Sequence, residues 1–327
     1  MKDTAYPSPA PAAVPAEAAA TYRPADRYAW LPAAGNTLLR YALWSASGAA
    51  RGTVVLLTGR GEFVEKYATE VVGELLQRGF AVAALDWRGQ GLSGRALAEH
   101  DAGHVDSFDT YIADLKLFLD TIVAPEAARP VVALCHSMGS HILLRYLAEH
   151  GPGFLTAATV VSPMMGLHRE LFLRSVLRLI PESAAMEHRY LFGSGPFQFR
   201  RRDFTANFVT HDQRRYRLTE AWFAADRRLA LGGPTIGWAR QAARSMTAAL
   251  APGYLERIDV PVLLLSAGQD QIVAAASHRP VAARMRNAKY VTFAEAKHEI
   301  MMETDDIRAR FWEAFDGFMA RTVALAA

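Results

Sequence analysis

Hydrophobic and polar positions follow two rhythms along this chain. Thr53–Leu57 (TVVLL), Phe80–Leu85 (FAVAAL), Pro130–Leu134 (PVVAL), Ala157–Val161 (AATVV) and Val260–Leu265 (VPVLLL) are short, unbroken apolar runs. Their length and β-branched content predict strands buried on both faces. Thr37–Trp44 reads as an earlier strand and Tyr290–Phe293 as the last. Between these runs the spacing turns helical, over Phe63–Gln77, Phe108–Val123, Ser137–Glu149, Ala274–Arg286 and Thr304–Arg321. In the second of these, Tyr111, Leu115, Phe118, Leu119 and Ile122 share one face. Alternation of this kind implies a mostly parallel sheet with helices on both faces, joined by right-handed crossovers.

The rhythm breaks once. From Met164 to about Pro252 no strand is evident, and the segment is helical and rich in Arg, Phe, Trp and Met. The expected organisation is therefore a disordered Ala/Pro-rich tail over 1–25, an α/β core over 26–163 and 253–327, and a helical insertion over 164–252 placed as a lid. Prolines at 7, 9, 11 and 15 and an early Lys2-Asp3 pair argue against a secretory leader.

Composition changes this picture only where charge is uneven. The net charge of the 327 residues is +3. Met164–Leu250 carries 14 Arg and 7 acidic residues, a local +7 inside a mildly acidic body. Such a segment attracts anions, or is simply a solvated surface. The arginines are scattered among apolar residues without the motifs of known nucleic-acid modules, which argues against a nucleic-acid binder. A lone cysteine, Cys135, excludes a disulfide framework and suits a reducing compartment. No run approaches the roughly 20 apolar residues of a membrane span.

The chemistry is concentrated at strand ends. Val131–Gly139 (VVALCHSMG) is a buried strand running into a helix with Ser137 at the joint, the context of a nucleophile elbow. The helix N-terminus favours developing negative charge there. Cys135 replaces the usual first glycine of G-x-S-x-G; it reads as a small buried residue rather than a rival nucleophile. A serine hydroxyl needs a base. Asp270 follows the strand VPVLLL and His298 follows the last strand, so both fall at the same sheet edge as Ser137, in the chain order this motif uses. Ser137 is the expected nucleophile, His298 the general base and Asp270 its orienting acid. His136 reads as packing, not base. The backbone N–H groups of Arg60, in the glycine-flanked loop Thr58–Glu62, and of Met138 are the expected oxyanion donors. Asp86 and Arg88, in the turn DWRGQGLS, read as structural ties between loops.

Together these residues resemble the monoacylglycerol lipase and lysophospholipase branch of the α/β hydrolases. Gly59-Arg60-Gly61-Glu62 is similar to that branch's oxyanion loop, D-W-R-G-Q-G-L-S to its next loop and C-H-S-M-G to its G-H-S-M-G elbow. Gly268-Gln269-Asp270 and Lys297-His298-Glu299 are similar to its acid and histidine loops. Asn207–Asp212 (NFVTHD) and Leu231–Trp238 (LGGPTIGW) resemble bacterial lysophospholipase of the L2 type. The resemblance implies an α/β-hydrolase fold and a serine hydrolase acting on lipid carboxylic esters through an acyl-enzyme, with no metal or organic cofactor. Phe197, Phe199, Trp222 and Trp238 are candidates to line an acyl channel, with ordinary core as the alternative reading. Leu171–Ile180 is either a membrane-surface helix or a helix packed on the core. The expected partners are a lipid ester and an anionic membrane surface touched peripherally by an otherwise cytoplasmic protein, with no nucleic acid. A broad esterase, a proline-iminopeptidase-like peptidase and a catalytically silent binder are the competing readings.

Overall fold

The computed structural model describes residues 8–11, 13–168, 170–198 and 203–324. Its centre is one eight-stranded sheet in the order β1-β2-β4-β3-β5-β6-β7-β8. The strands are β1 Arg27–Ala33, β2 Thr37–Trp44, β3 Gly52–Leu57, β4 Phe80–Leu85, β5 Val131–His136, β6 Leu155–Val161, β7 Val262–Ala267 and β8 Ala288–Phe293. β1, β2 and β4 pair antiparallel, and every other pairing is parallel. β3, β5 and β7 are buried along their whole length, as their unbroken apolar runs predict.

The principal helices are α1 Val64–Ala68, α2 Val71–Gln77, α3 Phe108–Phe118, α4 Ser137–His150, α5 Glu170–Leu179, α6 Gln213–Ala225, α7 Ile236–Ala249, α8 His278–Arg284 and α9 Asp305–Ala324. Two apolar clusters fill the space on either side of the sheet. Phe108, Tyr111, Leu115 and Ile142 belong to one, and Val64, Tyr67, Phe311 and Phe315 to the other. The helix expected over Phe63–Gln77 is broken at Thr69–Glu70. There Glu70 leaves helical geometry and pairs with Arg214, Arg215 and Arg308.

One strand was missed and one expectation fails. β1 was not legible, because this edge strand buries only Leu31 and carries Pro32, so no two-residue period stands out. The Ala/Pro tail is not free as far as residue 25. Residues 15–22 form turns in which Ala18 is fully buried. Tyr22 packs its ring 5.0 Å from that of Trp222 and joins its hydroxyl to that of Tyr28. One alanine and one tyrosine anchor a segment whose composition alone reads as unable to form a core.

The chain between β6 and β7 is helical, with α5, α6 and α7 and a single helical turn at Ala184–Glu187. α5 packs on α7 through Leu177, Ile180, Ile236 and Ala239, while Leu179 stays exposed. Much of its positive charge is neutralised locally: Arg174 by Glu170, Arg227 by Asp101, Arg228 by Asp226, Arg240 by Glu187 and Arg244 by Glu182. Among the described residues no helix is long and apolar enough to cross a membrane.

Candidate active site

The site is set by where the sheet changes direction. From β3 the chain goes one way to β4 and then returns to the other side as β5. The loops after β3 and β5 therefore sit side by side at the carboxyl ends of their strands, the position where open α/β sheets form crevices. Leu57 and Cys135 are partners across the β3–β5 pair, which puts Arg60 and Ser137 just beyond the same line.

Ser137 has a φ of 49°, a left-handed conformation unfavourable for a side chain. The strand stops and α4 starts at this residue, and the strained turn lifts the hydroxyl out of the backbone. Gly139 is required two residues later. A Cβ there would lie 2.5 Å from the Thr58 carbonyl oxygen and 2.7 Å from that of Leu57. Cys135, on the other flank, is fully enclosed in the apolar core, and burial pushes its thiol well up. It is packing, not a nucleophile.

His298 Nε2 lies 3.0 Å from Ser137 Oγ, and His298 Nδ1 lies 2.6 Å from Asp270 Oδ2. Asp270 Oδ1 accepts from the N–H groups of Ile272 and Val273 at 2.8 and 2.9 Å. Burial works against the Asp270 carboxylate. The imidazole hydrogen bond and charge together with those two amides outweigh it and hold Asp270 below its usual range. An ionised carboxylate can only accept, so Nδ1 carries the ring proton and Nε2 presents its lone pair to the serine. The three residues are nearly enclosed, with Ser137 7% and His298 4% exposed.

Arg60 stands in the loop after β3. Its N–H finds no acceptor among the described residues, while Gly59 N–H donates to Glu62 and Gly61 N–H donates to Gln90 Oε1 at 2.6 Å. Met138 lies in the first turn of α4, where amides lack a helical carbonyl. The Arg60 side chain runs into the seam beneath the insertion. It donates to the Gly232 carbonyl at 2.9 Å and lies 5.0 Å from the Trp238 ring centre. No carboxylate pairs with it among the described residues, its Nε is buried without an acceptor, and burial pulls its pKa down to about 10.

A supporting network was not evident in the sequence. Glu62 accepts from Tyr67 Oη and Lys66 Nζ, both at 2.7 Å, and lies 3.0 Å from His136 Nδ1. The other ring nitrogen of His136 lies 3.2 Å from the His298 carbonyl oxygen. Lys66 also pairs with Glu299 at 2.7 Å, so the histidine loop is held from both sides. Gly59 lets this network close up, because a Cβ would fall 2.8 Å from Glu62 Oε2 and 2.9 Å from His136 Nδ1 and push those side chains apart. From the insertion, His168 Nε2 meets the Asp270 carbonyl oxygen at 2.8 Å. Asp86 and Arg88 are ties, as expected. Asp86 accepts from Val64 and Leu92 N–H and pairs with Arg40, and Arg88 pairs with Asp114.

The aromatic channel is corrected. Trp222 is fully buried; its Nε1 donates to Thr69 Oγ1 at 2.9 Å, and its ring meets Tyr22. Phe197 packs on Phe223 under the Arg227 guanidinium. Both belong to the core beneath the insertion, because their large faces are already covered by protein. Trp238 packs between Phe108 and Arg60, at the edge of the site rather than along a channel. Phe199 lies outside the described residues.

Residues 48–305 match the model of the Hydrolase_4 family, described as serine aminopeptidase, S33. The chain belongs to this family. A relative in it is lysophospholipase L2 of Escherichia coli strain K12, 32% identical over 278 residues, which cover 82% of this chain and 80% of the relative. A monoacylglycerol lipase of Mycolicibacterium smegmatis is 28% identical over 134 residues, covering 41% of this chain and 45% of that protein. Among solved structures, a soluble variant of monoglyceride lipase from Saccharomyces cerevisiae superposes with a TM-score of 0.69 at 16% identity, covering 90% of this chain and 96% of that one. Paleococcus ferrophilus monoacylglycerol lipase gives 0.66 at 20% identity, with 86% and 98% covered. This Hydrolase_4 member is thus an enzyme of α/β-hydrolase fold, as the sequence motifs implied.

Proposed function

We propose that the chain is a serine hydrolase of lipid carboxylic esters in which Ser137, His298 and Asp270 form the catalytic triad. The observation that carries this reading is the unbroken hydrogen-bonded line from Asp270 through His298 to Ser137 at a strained elbow. Ser137 Oγ attacks the ester carbonyl while His298 Nε2 takes its proton, and Asp270 holds the imidazolium that forms. The oxyanion takes hydrogen bonds from the Arg60 and Met138 amides. His298 then gives its proton to the leaving alcohol, and water repeats the sequence on the acyl-enzyme.

The lysophospholipase L2 and monoacylglycerol lipase relatives support a lipid ester as substrate. Arg60 favours the lysophospholipid of the two. A desolvated guanidinium without a carboxylate among the described residues, carried by the residue whose amide is assigned to the oxyanion, suits a phosphate headgroup better than a neutral glycerol. The same cation disfavours the aminopeptidase reading that the family's description offers, because it repels a substrate ammonium that has no phosphate beside it. Residues 164–252 then act as the lid. A cavity of about 470 Å³ between α5 and α7 is bordered by Arg174, Arg178, Arg240 and Arg244 together with Glu182, and with Arg174, Arg240 and Arg244 already paired it adds little attraction for anionic lipid.

A fluorophosphonate probe should label the wild type and leave Ser137→Ala unlabelled. Lysophosphatidylcholine should be cleaved with a higher kcat/KM than monoacylglycerol of the same chain, and proline p-nitroanilide should not be cleaved. Wild-type labelling persisting in Ser137→Ala, or turnover of the anilide above that of the lipids, would overturn the assignment.

A further inference from the structure

On the side of Arg60 away from the triad, three stretches of backbone meet. Gly103 N–H donates to the Gly233 carbonyl, Thr235 N–H to that of Gly103, Leu191 N–H to that of Pro234 and Ile236 N–H to that of Arg189. His104 and Asp106 come from the core loop before α3, and His188 comes from the insertion just after its single helical turn. The His104 and His188 rings meet edge to face at 4.9 Å between centres. His104 Nε2 lies 3.1 Å from Asp106 Oδ1, and one donor atom from each of the three residues lies within 4.8 Å of the others. From this geometry we infer that His104, Asp106 and His188 form a binding site for a divalent transition-metal ion that ties the insertion to the core.

The donor set is two imidazoles and one carboxylate, the borderline chemistry that zinc, nickel and cobalt prefer to hard cations. At a zinc–nitrogen distance of about 2.0–2.1 Å, tetrahedral donors stand about 3.3 Å apart. The 4.8 Å spread closes by rotation of Asp106 and His188, which are both exposed, onto the fixed ring of His104. That ring is buried and oriented from behind, with Nδ1 2.8 Å from Thr235 Oγ1. Thr235 in turn accepts from Trp238 N–H at 3.0 Å, as the cap of α7. Such a partner on the far nitrogen is what fixes a ligating histidine. Without metal, a proton on Nε2 bridges to Asp106 and the Thr235 hydroxyl donates to Nδ1. With metal, the ring proton moves to Nδ1 and Thr235 becomes the acceptor. The metal takes no part in the ester chemistry. Its effect is mechanical, because the same seam holds Gly232 and Trp238, the two contacts of the Arg60 side chain.

The test is calorimetric titration of the metal-free full-length chain with Zn²⁺, with a parallel Co²⁺ titration read by visible absorption. Wild type should bind about one equivalent of Zn²⁺ and develop the intense bands of four-coordinate cobalt. Zn²⁺ should raise its Tm. His188→Ala and Asp106→Asn change exposed side chains, so folding survives in both. Each should weaken Zn²⁺ at least about tenfold and abolish the Tm rise. Absence of Zn²⁺ binding by wild type, or binding of equal strength in wild type and both variants, would overturn the site. The probe-labelling test of Ser137 is independent of either outcome.

Discussion

His136 Nε2 lies 3.2 Å from the carbonyl oxygen of His298, the residue whose ring reaches Ser137. The histidine next to Ser137 therefore meets the backbone of His298 and not the serine hydroxyl. Its two ring nitrogens connect Glu62 to the His298 loop, and its ring packs 4.7 Å from that of His298. His136→Ala should lower kcat by roughly tenfold to a hundredfold, the size expected when a catalytic group shifts by a fraction of an ångström. KM should change little. Steady-state kinetics on a p-nitrophenyl ester checks this, and an equal rise in KM would point instead to a substrate contact.

The Glu62–His136 pair makes stability depend on pH. Burial disfavours the Glu62 carboxylate, but His136 and Lys66 outweigh it and hold it well below 4.5. Burial likewise disfavours the charged His136 ring, but Glu62 outweighs it and raises the ring above 6.5. The carboxylate's contribution is present above its unfolded value and is lost as pH falls through its folded one. The imidazolium's contribution is complete below 6.5 and is lost as pH rises through its folded value. Glu62→Gln should cost roughly 3 kcal/mol, the scale for breaking a buried pair. The difference from wild type should be greatest between about pH 5 and 6.5 and should shrink on both sides. Denaturant melts at three pH values measure it, and a constant difference from pH 5 to 9 would contradict the pairing.

The two flanks of the elbow should respond unequally to substitution. Gly139→Ala places a methyl against two backbone oxygens that cannot yield, so the variant should lose at least about 3 kcal/mol or fail to accumulate. Cys135→Gly restores the commoner elbow residue and empties a small volume in a fully enclosed strand. It should keep activity within about threefold and lose roughly 1–2 kcal/mol of stability. Thermal melts and ester turnover of the two proteins separate these outcomes.

Tyr22→Ala tests whether the N-terminal segment belongs to the fold. The side chain is nearly enclosed between Trp222 and Tyr28, so its loss should cost about 3 kcal/mol. Urea titration checks it, and a change below about 0.5 kcal/mol would mean that the segment contributes nothing.

The meeting of Ser137, His298 and Asp270 was legible because each follows a strand, and strand ends in a parallel sheet share one edge. The elbow serine, the acid loop and the histidine loop each carried that signal locally. Glu62, Lys66, His136 and Glu299 were not legible as a network, because their contacts join β3, α1, β5 and the loop after β8 across long sequence distances. A charged residue in a helix at Lys66 reads as solvated surface until its partners are known to be buried beside it. β1 and the tail failed for the related reason that one or two anchors leave no periodic trace. Whether Trp222 and Phe197 face a ligand or another core layer was not legible, because an aromatic residue leaves the same local pattern in either case.

Ser137 and His298 are nearly enclosed, so an ester carbonyl gains the Ser137 hydroxyl more readily when a neighbouring segment swings aside. The fraction of time spent ajar then multiplies the intrinsic affinity for every substrate alike. Any condition that props the gateway, such as detergent or a lipid interface, should speed bulky and small esters in the same proportion.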